Sequence, residues 1–391
     1  MSAYRGSTRK GKAMLNIPLF RPFIDEEEER EIKSVLNSGW LTMGAKVEEF
    51  EKRITKKLGV KHAIVCSSGT AALHLSLKAL GVREGDEVLV ADFTFPATGH
   101  AVMYCGAIPV FVDIDPLTYN LDIRDAKEKL SPRTKVIIPV HTFGQVAEMD
   151  DILKFAEENK IQIIEDAACA FGSKYKGHSA GTLGDLGCFS FHATKGITTG
   201  EGGCVTTNDD GLAKRVRNLL VYGIEKNTPW EKEKAGSSSL PVFARLGFNY
   251  KMSDISAACG CAQIGKLDII VTKKRKLAEY WDKKLKGIIG IEPPYVESYN
   301  YHNYQSYCTL VGKNVDRDKV ILLLKERGVS TQIGTYSSFI QPVYDSKDKC
   351  PTSLDVYNRA LRLPLYFNLT EAEIDQVAEI LEKVLLIAKR A

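Results

Sequence analysis

The sequence of 391 residues lacks the features that mark several classes of protein. No uninterrupted apolar run approaches the roughly 20 residues that a membrane-spanning helix needs, so no membrane partner is expected. The nine cysteines are odd in number and have no CxxC spacing, which argues against both a disulfide framework and a zinc site. We therefore expect reduced, buried thiols, a cytoplasmic location and no bound metal.

A strong charge of either sign is also missing. The net charge of +4 is small beside 53 basic and 49 acidic side chains, so no global field favours a nucleic acid partner. Residues 1–13 are basic but lack the apolar stretch and the small-residue cleavage site of a secretory signal. We predict that they form a disordered basic leader.

The composition is that of an ordinary globular chain, with 44% hydrophobic and 26% charged residues. A chain of this length exceeds one compact core and suits a large domain followed by a smaller one. We place the boundary near residue 270, inside a helical run. This predicts a large domain over 14–270 and a small C-terminal α/β domain over 271–391.

Short runs rich in valine and isoleucine alternate with helical patterns from about residue 60 onward. Repetition of strand, helix and strand predicts a mainly parallel sheet with helices on both faces, in three layers. Ligands bind such sheets at the carboxyl ends of the strands. The predicted strands are His62–Cys66, Glu87–Ala91, Pro109–Asp113, Lys135–Val140 and Gln162–Glu165, followed by the apolar segments Gly187–Phe191 and Gly203–Thr207.

Lys195 follows one of these apolar segments, in a stretch rich in glycine and small residues. Such residues let a bulky planar ligand approach the backbone closely. A lysine amine can form a Schiff base with a carbonyl group, and partial burial favours its neutral form. Taken alone, Lys195 could equally be a solvated surface lysine.

Asp166 lies at the carboxyl end of the apolar run that begins at Gln162. A carboxylate in this place can pair with a protonated pyridine nitrogen and keep a cofactor ring electron-withdrawing. Helix capping or turn formation explains such an aspartate about as well on local grounds.

A strand stops and a helix starts within the small residues that follow Cys66. The unpaired backbone amides of that helix start can bind a phosphate. The segment has neither the lysine of a P-loop nor the glycine spacing of a dinucleotide fingerprint. A simple capped turn is the alternative.

These motifs together resemble the DegT/DnrJ/EryC1/StrS family of nucleotide-sugar aminotransferases. The resemblance runs from about Asn16 to Ala388, and several ordered motifs are far more specific than any one of them. The motifs are Ser38–Thr42, Ser67–Leu73, Thr94–Thr98, Pro139–Gln145, Glu165–Ala168, Ser190–Lys195, Gly200–Gly203 and Gly247–Tyr250.

The resemblance implies the aspartate aminotransferase type of fold (fold type I) and the cofactor pyridoxal 5'-phosphate. By the same resemblance, Lys195 is the catalytic lysine that holds the cofactor and acts as general base, and Asp166 is the partner of the pyridinium nitrogen. The resemblance further implies that Phe95 stacks on the cofactor ring. The other residues expected to contact the cofactor are Ser68, Gly69, Thr70, Cys169, Ser190 and Asn249. Asn249 matches a residue that reaches the cofactor of the neighbouring subunit in relatives, which implies a homodimer with shared sites.

The sequence departs from many relatives at two places. Cys169 replaces a glutamine that can hydrogen-bond the phenolic oxygen of the cofactor, and a thiol is a weaker donor. Phe339 replaces a histidine near the sugar. The residues that we expect to contact the substrate are Trp40, Thr42, His192 and Tyr336. The alternative for His192 is a structural role, in which the side chain packs against its loop or orients it.

The predicted function is transamination in two half-reactions, with L-glutamate as the expected donor and a keto sugar linked to a nucleotide as the acceptor. One rival is a sugar dehydratase on the same scaffold, but relatives with that activity carry histidine in place of the lysine at 195. A regulatory or ligand-sensing protein that kept the fold is the other rival. Bleaching of the cofactor absorbance by L-glutamate would separate the enzyme from the sensor.

Overall fold

The computed structural model describes residues 15–226 and 241–389. The predicted leader over 1–13 lies outside the described residues. Within the described ranges the helices, in chain order, are α1 (Glu26–Ser38), α2 (Ala45–Leu58), α3 (Gly69–Ala79), α4 (Ala97–Tyr104), α5 (Ile123–Lys129), α6 (Met149–Asn159), α7 (Asp210–Leu220), α8 (Asp254–Leu285), α9 (Arg317–Glu326), α10 (Pro351–Arg359) and α11 (Glu371–Ile387). Short 3₁₀ turns span Thr142–Gly144 and Pro342–Tyr344.

The strands of the large sheet are β1 (His62–Cys66), β2 (Glu87–Ala91), β4 (Ile108–Val112), β5 (Thr134–Ile138), β6 (Gln162–Asp166), β9 (Leu186–Ser190) and β10 (Gly203–Thr207). A smaller sheet contains β13 (Ile291–Glu292), β15 (Tyr307–Val311), β16 (Gln332–Ile333) and β18 (Ala360–Leu363). Short pairs and triplets are formed by β3 (Phe93–Thr94), β7 (Lys174–Tyr175), β8 (His178–Ser179), β11 (Ile224–Lys226), β12 (Val242–Phe243), β14 (Asn300–Tyr301) and β17 (Tyr336–Ser337).

The large sheet has the strand order β1-β10-β9-β6-β5-β2-β4. The pairs β9–β6, β6–β5, β5–β2 and β2–β4 are parallel, whereas β10 is antiparallel to both of its neighbours. The prediction of an α/β fold with a mainly parallel sheet is confirmed. Because β10 runs in the opposite direction, its first residue meets the last residues of β1 and β9 at the same edge of the sheet.

The first helix, α1, has a capping residue at each end. Asp25 caps α1 through a capping box with Glu28, and Gly39 ends the helix at φ 72°, a left-handed conformation that glycine adopts without a Cβ clash. This places a rigid helix on the outside of the long helix α8. A buried ion pair between Lys266 and Glu28, at 2.8 Å, joins the two helices.

The buried apolar side chains of α8 belong to two large groups, one contacted by the earlier part of the helix and the other by the later part. Leu267 and Val271 belong to the group that packs against the large sheet. Leu277 and Trp281 belong to the group that packs against the smaller sheet. The domain boundary near residue 270 stays a prediction.

Among the described residues, α8 is the one helix that is long and apolar enough to cross a membrane by length and composition alone, although Lys266 and Asp268 interrupt its apolar run. About two thirds (67%) of its most apolar stretch is buried inside the fold. That burial is typical of a core helix, which is as apolar as its surroundings require.

Candidate active site

The carboxyl edge of the large sheet carries Asp166, the last residue of β6. Its side chain is 4% exposed and accepts a hydrogen bond of 2.7 Å from the Thr98 hydroxyl and one of 3.1 Å from the backbone amide of Ala168. The bond from Ala168 makes a turn at Asp166, which is the alternative that the local sequence left open. The first bond comes from α4 and fixes the direction in which the carboxylate faces.

Lys195 lies in the turn that follows β9, and its backbone amide donates to the carbonyl of His192 at 2.9 Å. The lysine side chain is partly buried and not fully solvated. Its amine donates to the Cys169 sulfur at 3.3 Å. Two loops that leave neighbouring strands, after β6 and after β9, therefore meet at this amine.

All nine cysteines are free, and Cys169 is the one among them that is not fully buried. The prediction of buried, unpaired thiols is confirmed for the other eight. Burial raises the pKa of the Cys66 thiol to about 12 and that of Cys259 to about 11, which keeps these groups neutral.

The start of α3 provides a site for an anion. Ser68 caps the helix, because its hydroxyl oxygen accepts from the amide of Ala71 at 3.1 Å. The amides of Gly69 and Thr70 occupy the first turn, where a helix supplies no acceptor for them. A Cβ on Gly69 would lie 2.9 Å from the Cβ of Ser190, so glycine allows the end of β9 to approach this turn.

The Ser68 side chain therefore acts as a helix cap, as the alternative predicted. The amides of Gly69 and Thr70 and the Ser190 hydroxyl remain available to bind an anion. The backbone of Gly203 approaches as closely, since a Cβ there would lie 2.3 Å from the Ser68 carbonyl oxygen. The ends of β1 and β9 and the first residue of β10 thus lie close together beside the start of α3.

An aromatic pair stands beside this edge. Phe95 is 63% exposed, and its ring centroid lies 6.1 Å from that of Tyr336 in an edge-to-face arrangement. Tyr336 comes from the C-terminal part of the chain and is placed by the pairing of β17 with β3, opposite Thr94. A predicted cofactor contact and a predicted substrate contact are therefore neighbours.

The remaining predicted residues lie at the surface around this edge. Trp40 donates from its indole nitrogen to the Met43 carbonyl at 3.3 Å, and the Thr42 carbonyl accepts from the amide of Asp254 at 3.3 Å. Both residues thus sit near the start of α8. His192 is exposed and hydrogen-bonds the Thr194 hydroxyl at 2.9 Å, which agrees with a loop-orienting role.

Asn249 is exposed, and its side-chain oxygen accepts from the Lys251 amine. The residue after it, Tyr250, accepts through its carbonyl from the amide of Ser67 at 2.7 Å, next to the start of α3. Among the described residues, no hydrogen bond joins the Asn249 side chain to Lys195.

Known proteins resemble this chain over nearly its whole length. The profile of the DegT/DnrJ/EryC1/StrS aminotransferase family matches residues 22–382. The chain belongs to this family. GDP-perosamine synthase of Caulobacter vibrioides is 38% identical over 380 residues, which are 95% of this chain and 98% of that protein.

Two solved structures show the same architecture. Spr1654 of Streptococcus pneumoniae, in its PMP form, has a TM-score of 0.90 at 28% identity, covering 95% of this chain and 100% of that one. Helicobacter pylori PseC, an aminotransferase involved in the biosynthesis of pseudoaminic acid, has a TM-score of 0.88 at 25% identity, with coverage of 95% and 100%. The predicted type I fold is thereby confirmed.

Pyridoxal phosphate is the cofactor of this aminotransferase family, and the residues at the edge of the sheet fit it. A buried carboxylate, an amine and a helix start with free amides are the three groups that the ring nitrogen, the aldehyde and the phosphate require. Glycine at position 69 keeps the Ser190 side chain close to the helix start, since a Cβ there would lie 2.9 Å from the Ser190 Cβ and 3.4 Å from its hydroxyl oxygen.

Sequence reasoning assigned no role to several residues of this aminotransferase site. Thr98 lies within a family motif, and only the fold revealed its bond to Asp166. His141 and Glu165 form a fully buried pair at 2.8 Å directly beneath the edge. Glu165 also accepts from the amides of Gly181, Leu183 and Gly184, at 2.8, 2.6 and 2.7 Å, and so fixes the loop before β9.

Proposed function

We propose that this aminotransferase transfers an amino group from L-glutamate to a keto sugar linked to a nucleotide. The observation that carries the proposal is the meeting of the Lys195 amine with the loop that follows the buried carboxylate of Asp166. The names of its relatives support the acceptor class, since one is a GDP-perosamine synthase and another an aminotransferase of pseudoaminic acid biosynthesis.

Lys195 is the proposed attachment residue and proton carrier. When bound, the cofactor supplies an electron-withdrawing ring that stabilises negative charge at the carbon from which a proton is removed. The Lys195 amine, once free, accepts that proton from the α-carbon of the amino donor. Partial burial of the amine limits competing contact with water.

Asp166 would hold the positive charge of the pyridine nitrogen. An ionised carboxylate accepts a strong, charge-assisted hydrogen bond from an N–H group in a buried setting. The bond from Thr98 occupies one oxygen and leaves lone pairs of the carboxylate for the ring. Thr98 is thus the residue that orients Asp166.

The phosphate would be held by the start of α3 together with the Ser190 hydroxyl. Amides at a helix start and the positive end of its dipole favour a dianion. Phe95 has enough exposed surface to pack on one face of the ring. The sugar-nucleotide contacts of Trp40 and Tyr336 stay predictions, as do those of Thr42 and His192.

We further propose that the active unit is a homodimer in which Asn249 serves the partner's cofactor. Apolar surface near Asn249 supports this proposal, because Phe243 is 63% exposed and Leu246 is 87% exposed. Large apolar side chains exposed close together in the chain are candidates for an interaction site. Neutral donors alone also leave a dianionic phosphate short of partners within one chain.

Borohydride reduction of the protein loaded with pyridoxal phosphate tests the proposal. We expect a stable cofactor adduct on the peptide that contains Lys195, and 2-oxoglutarate from L-glutamate in a single turnover. Lys195→Ala should abolish both results, while Lys174→Ala, at the exposed position of strand β7, should abolish neither. An adduct on another lysine would refute the assignment, and an adduct without any donor turnover would favour a ligand-sensing protein.

A further inference from the structure

The segment from His302 to Ser306 connects β14 to β15 and reaches the loops of the active site from the C-terminal part of the chain. Asn303 is 1% exposed, and its side-chain nitrogen donates to the carbonyls of Cys169 and Phe171, both at 3.0 Å. These carbonyls belong to the loop that follows Asp166. One amide side chain therefore fixes the backbone on which Cys169 approaches the lysine.

Gln305 makes the matching bond to the other loop. Its side-chain nitrogen donates at 2.7 Å to the carbonyl of Thr194, the residue immediately before Lys195. Its side-chain oxygen accepts from the Ser306 hydroxyl at 2.9 Å, and its backbone amide donates to the Asn303 side chain at 2.8 Å. The two amide side chains are thus linked to each other and to both loops.

The segment is held from behind by two consecutive residues of α8. The Lys274 amine donates to the Gln305 carbonyl at 3.0 Å, and the Arg275 guanidinium donates to the His302 carbonyl at 2.8 Å. Tyr304, which lies between His302 and Gln305, has φ 49°, a left-handed conformation that is unfavourable for a non-glycine residue. Such a conformation persists only where surrounding contacts determine it.

We propose that residues 302–306 form a positioning clamp, in which Asn303 sets the loop after Asp166 and Gln305 sets the loop that carries Lys195. The clamp rests on the proposed function, because it presumes that Lys195 is the reacting amine. The loop after Lys195 is rich in glycine and restrains the lysine weakly by itself. A displacement of about 1 Å at a reacting group can lower the rate on the order of 100-fold.

Gln305→Met is the decisive variant, because methionine keeps the length and volume of glutamine but cannot hydrogen-bond Thr194. We expect the rate constant of the L-glutamate half-reaction in single turnover to fall on the order of 10- to 100-fold. The affinity for pyridoxal phosphate should change much less, since the phosphate and ring contacts are elsewhere. Gln305→Glu should fail to rescue the rate, because the carboxylate oxygen that replaces the amide nitrogen cannot donate.

Gln162→Met serves as the matched control, at the opposite end of β6 from Asp166, and should react at the wild-type rate. Ser306→Ala is a milder variant that frees the Gln305 amide to rotate, and it should show a smaller loss of the same rate constant. It tests the clamp even if Gln305→Met does not fold. A purely structural role would lower the melting temperature of these variants while leaving the rate constant unchanged.

The outcomes separate the clamp from the function on which it rests. If borohydride traps the wild-type cofactor on a residue other than Lys195, the proposed function fails and the clamp with it. If the wild-type adduct is on Lys195 but folded Gln305→Met and Ser306→Ala react at the wild-type rate, the clamp alone is refuted. Equal loss in Gln162→Met would refute it as well.

Discussion

Replacement of Lys274 by methionine should make the stability of the protein depend less on pH. The Lys274 amine is buried in α8 and donates to one backbone carbonyl, that of Gln305. Burial lowers its pKa from 10.5 to about 7, and the nearby Cys169 only partly opposes this effect. Arg21, Lys195 and Tyr366 line the same cavity, whose wall has no carboxylate among the residues that the structure describes.

The lowered pKa of Lys274 decides the direction in which the free energy of unfolding changes with pH. Between pH 7 and 10.5 the unfolded chain binds a proton at this lysine that the folded chain does not. The stability contribution is therefore fully present above the unfolded pKa and is lost as the pH falls toward the folded pKa. The shift corresponds to about 5 kcal/mol in total, with a slope of at most about 1.4 kcal/mol per pH unit.

Methionine removes this titration but leaves the Gln305 carbonyl without its donor, which costs about 1–3 kcal/mol at every pH. The difference in the free energy of unfolding between wild type and Lys274→Met should therefore shift by about 3–4 kcal/mol in favour of methionine as the pH falls from 10 to 7. Below pH 7 the difference in the free energy of unfolding should no longer change with pH, because the amine is then protonated in both the folded and the unfolded chain.

Urea unfolding at matched protein concentration, at several pH values from 6 to 10, measures this difference. Both proteins share the nine cysteines, so thiol ionisation cancels in the comparison. Lys273→Met, on the exposed side of the same helix turn, is the control and should parallel the wild type. Parallel curves for Lys274→Met would refute the argument, because they would mean that the buried amine keeps its ordinary pKa.

Four further changes test the site. Asp166→Asn should keep the cofactor but lose most of the turnover, because a neutral amide cannot hold the ring nitrogen protonated; near-normal kcat would contradict this. Thr98→Val should lower kcat and destabilise the protein by about 1–3 kcal/mol in urea unfolding, since a buried carboxylate loses its donor. Gly69→Ala should raise the Kd of pyridoxal phosphate, measured by titration, because its Cβ would lie 2.9 Å from the neighbouring strand end; unchanged affinity would exclude a phosphate there. Mixed chains of Lys195→Ala and Asn249→Asp, reassembled after unfolding, should recover up to roughly a quarter of wild-type activity if the site is shared, and proven heterodimers without activity would refute sharing.

Local patterns predicted the elements of this fold well where one face or one end signal decides them. The strands His62–Cys66, Glu87–Ala91 and Gly203–Thr207 have the predicted bounds, and the other predicted strands of the large sheet are shifted by one or two residues at their ends. Burial on both faces makes these runs continuously apolar, which is a strong signal. The Asp25 cap and Gly39 delimit α1 for equally local reasons.

The partners of the site residues could not be read in the same way. Thr98 and Asp166 are 68 residues apart, and Asn303 and Cys169 are 134 residues apart, yet both pairs are joined by hydrogen bonds. No periodicity encodes contacts between such distant positions, since they depend on strand order and on how the C-terminal part folds back. The partner of the buried Lys266 in α8 belongs to the same class, because Glu28 lies in α1, far away in the chain.

The sequence by itself determined the fold class, the cofactor through family motifs, and the residues that end the strands of the large sheet. Their chemistry is set by residue type and by position after a strand, which are both local properties. Only the tertiary structure decided that Cys169 faces the Lys195 amine and that a buried Lys274 lies behind the same loop. These relations arise because parallel strands bring their carboxyl ends to one edge, while a helix and a connecting segment from elsewhere in the chain close it from below.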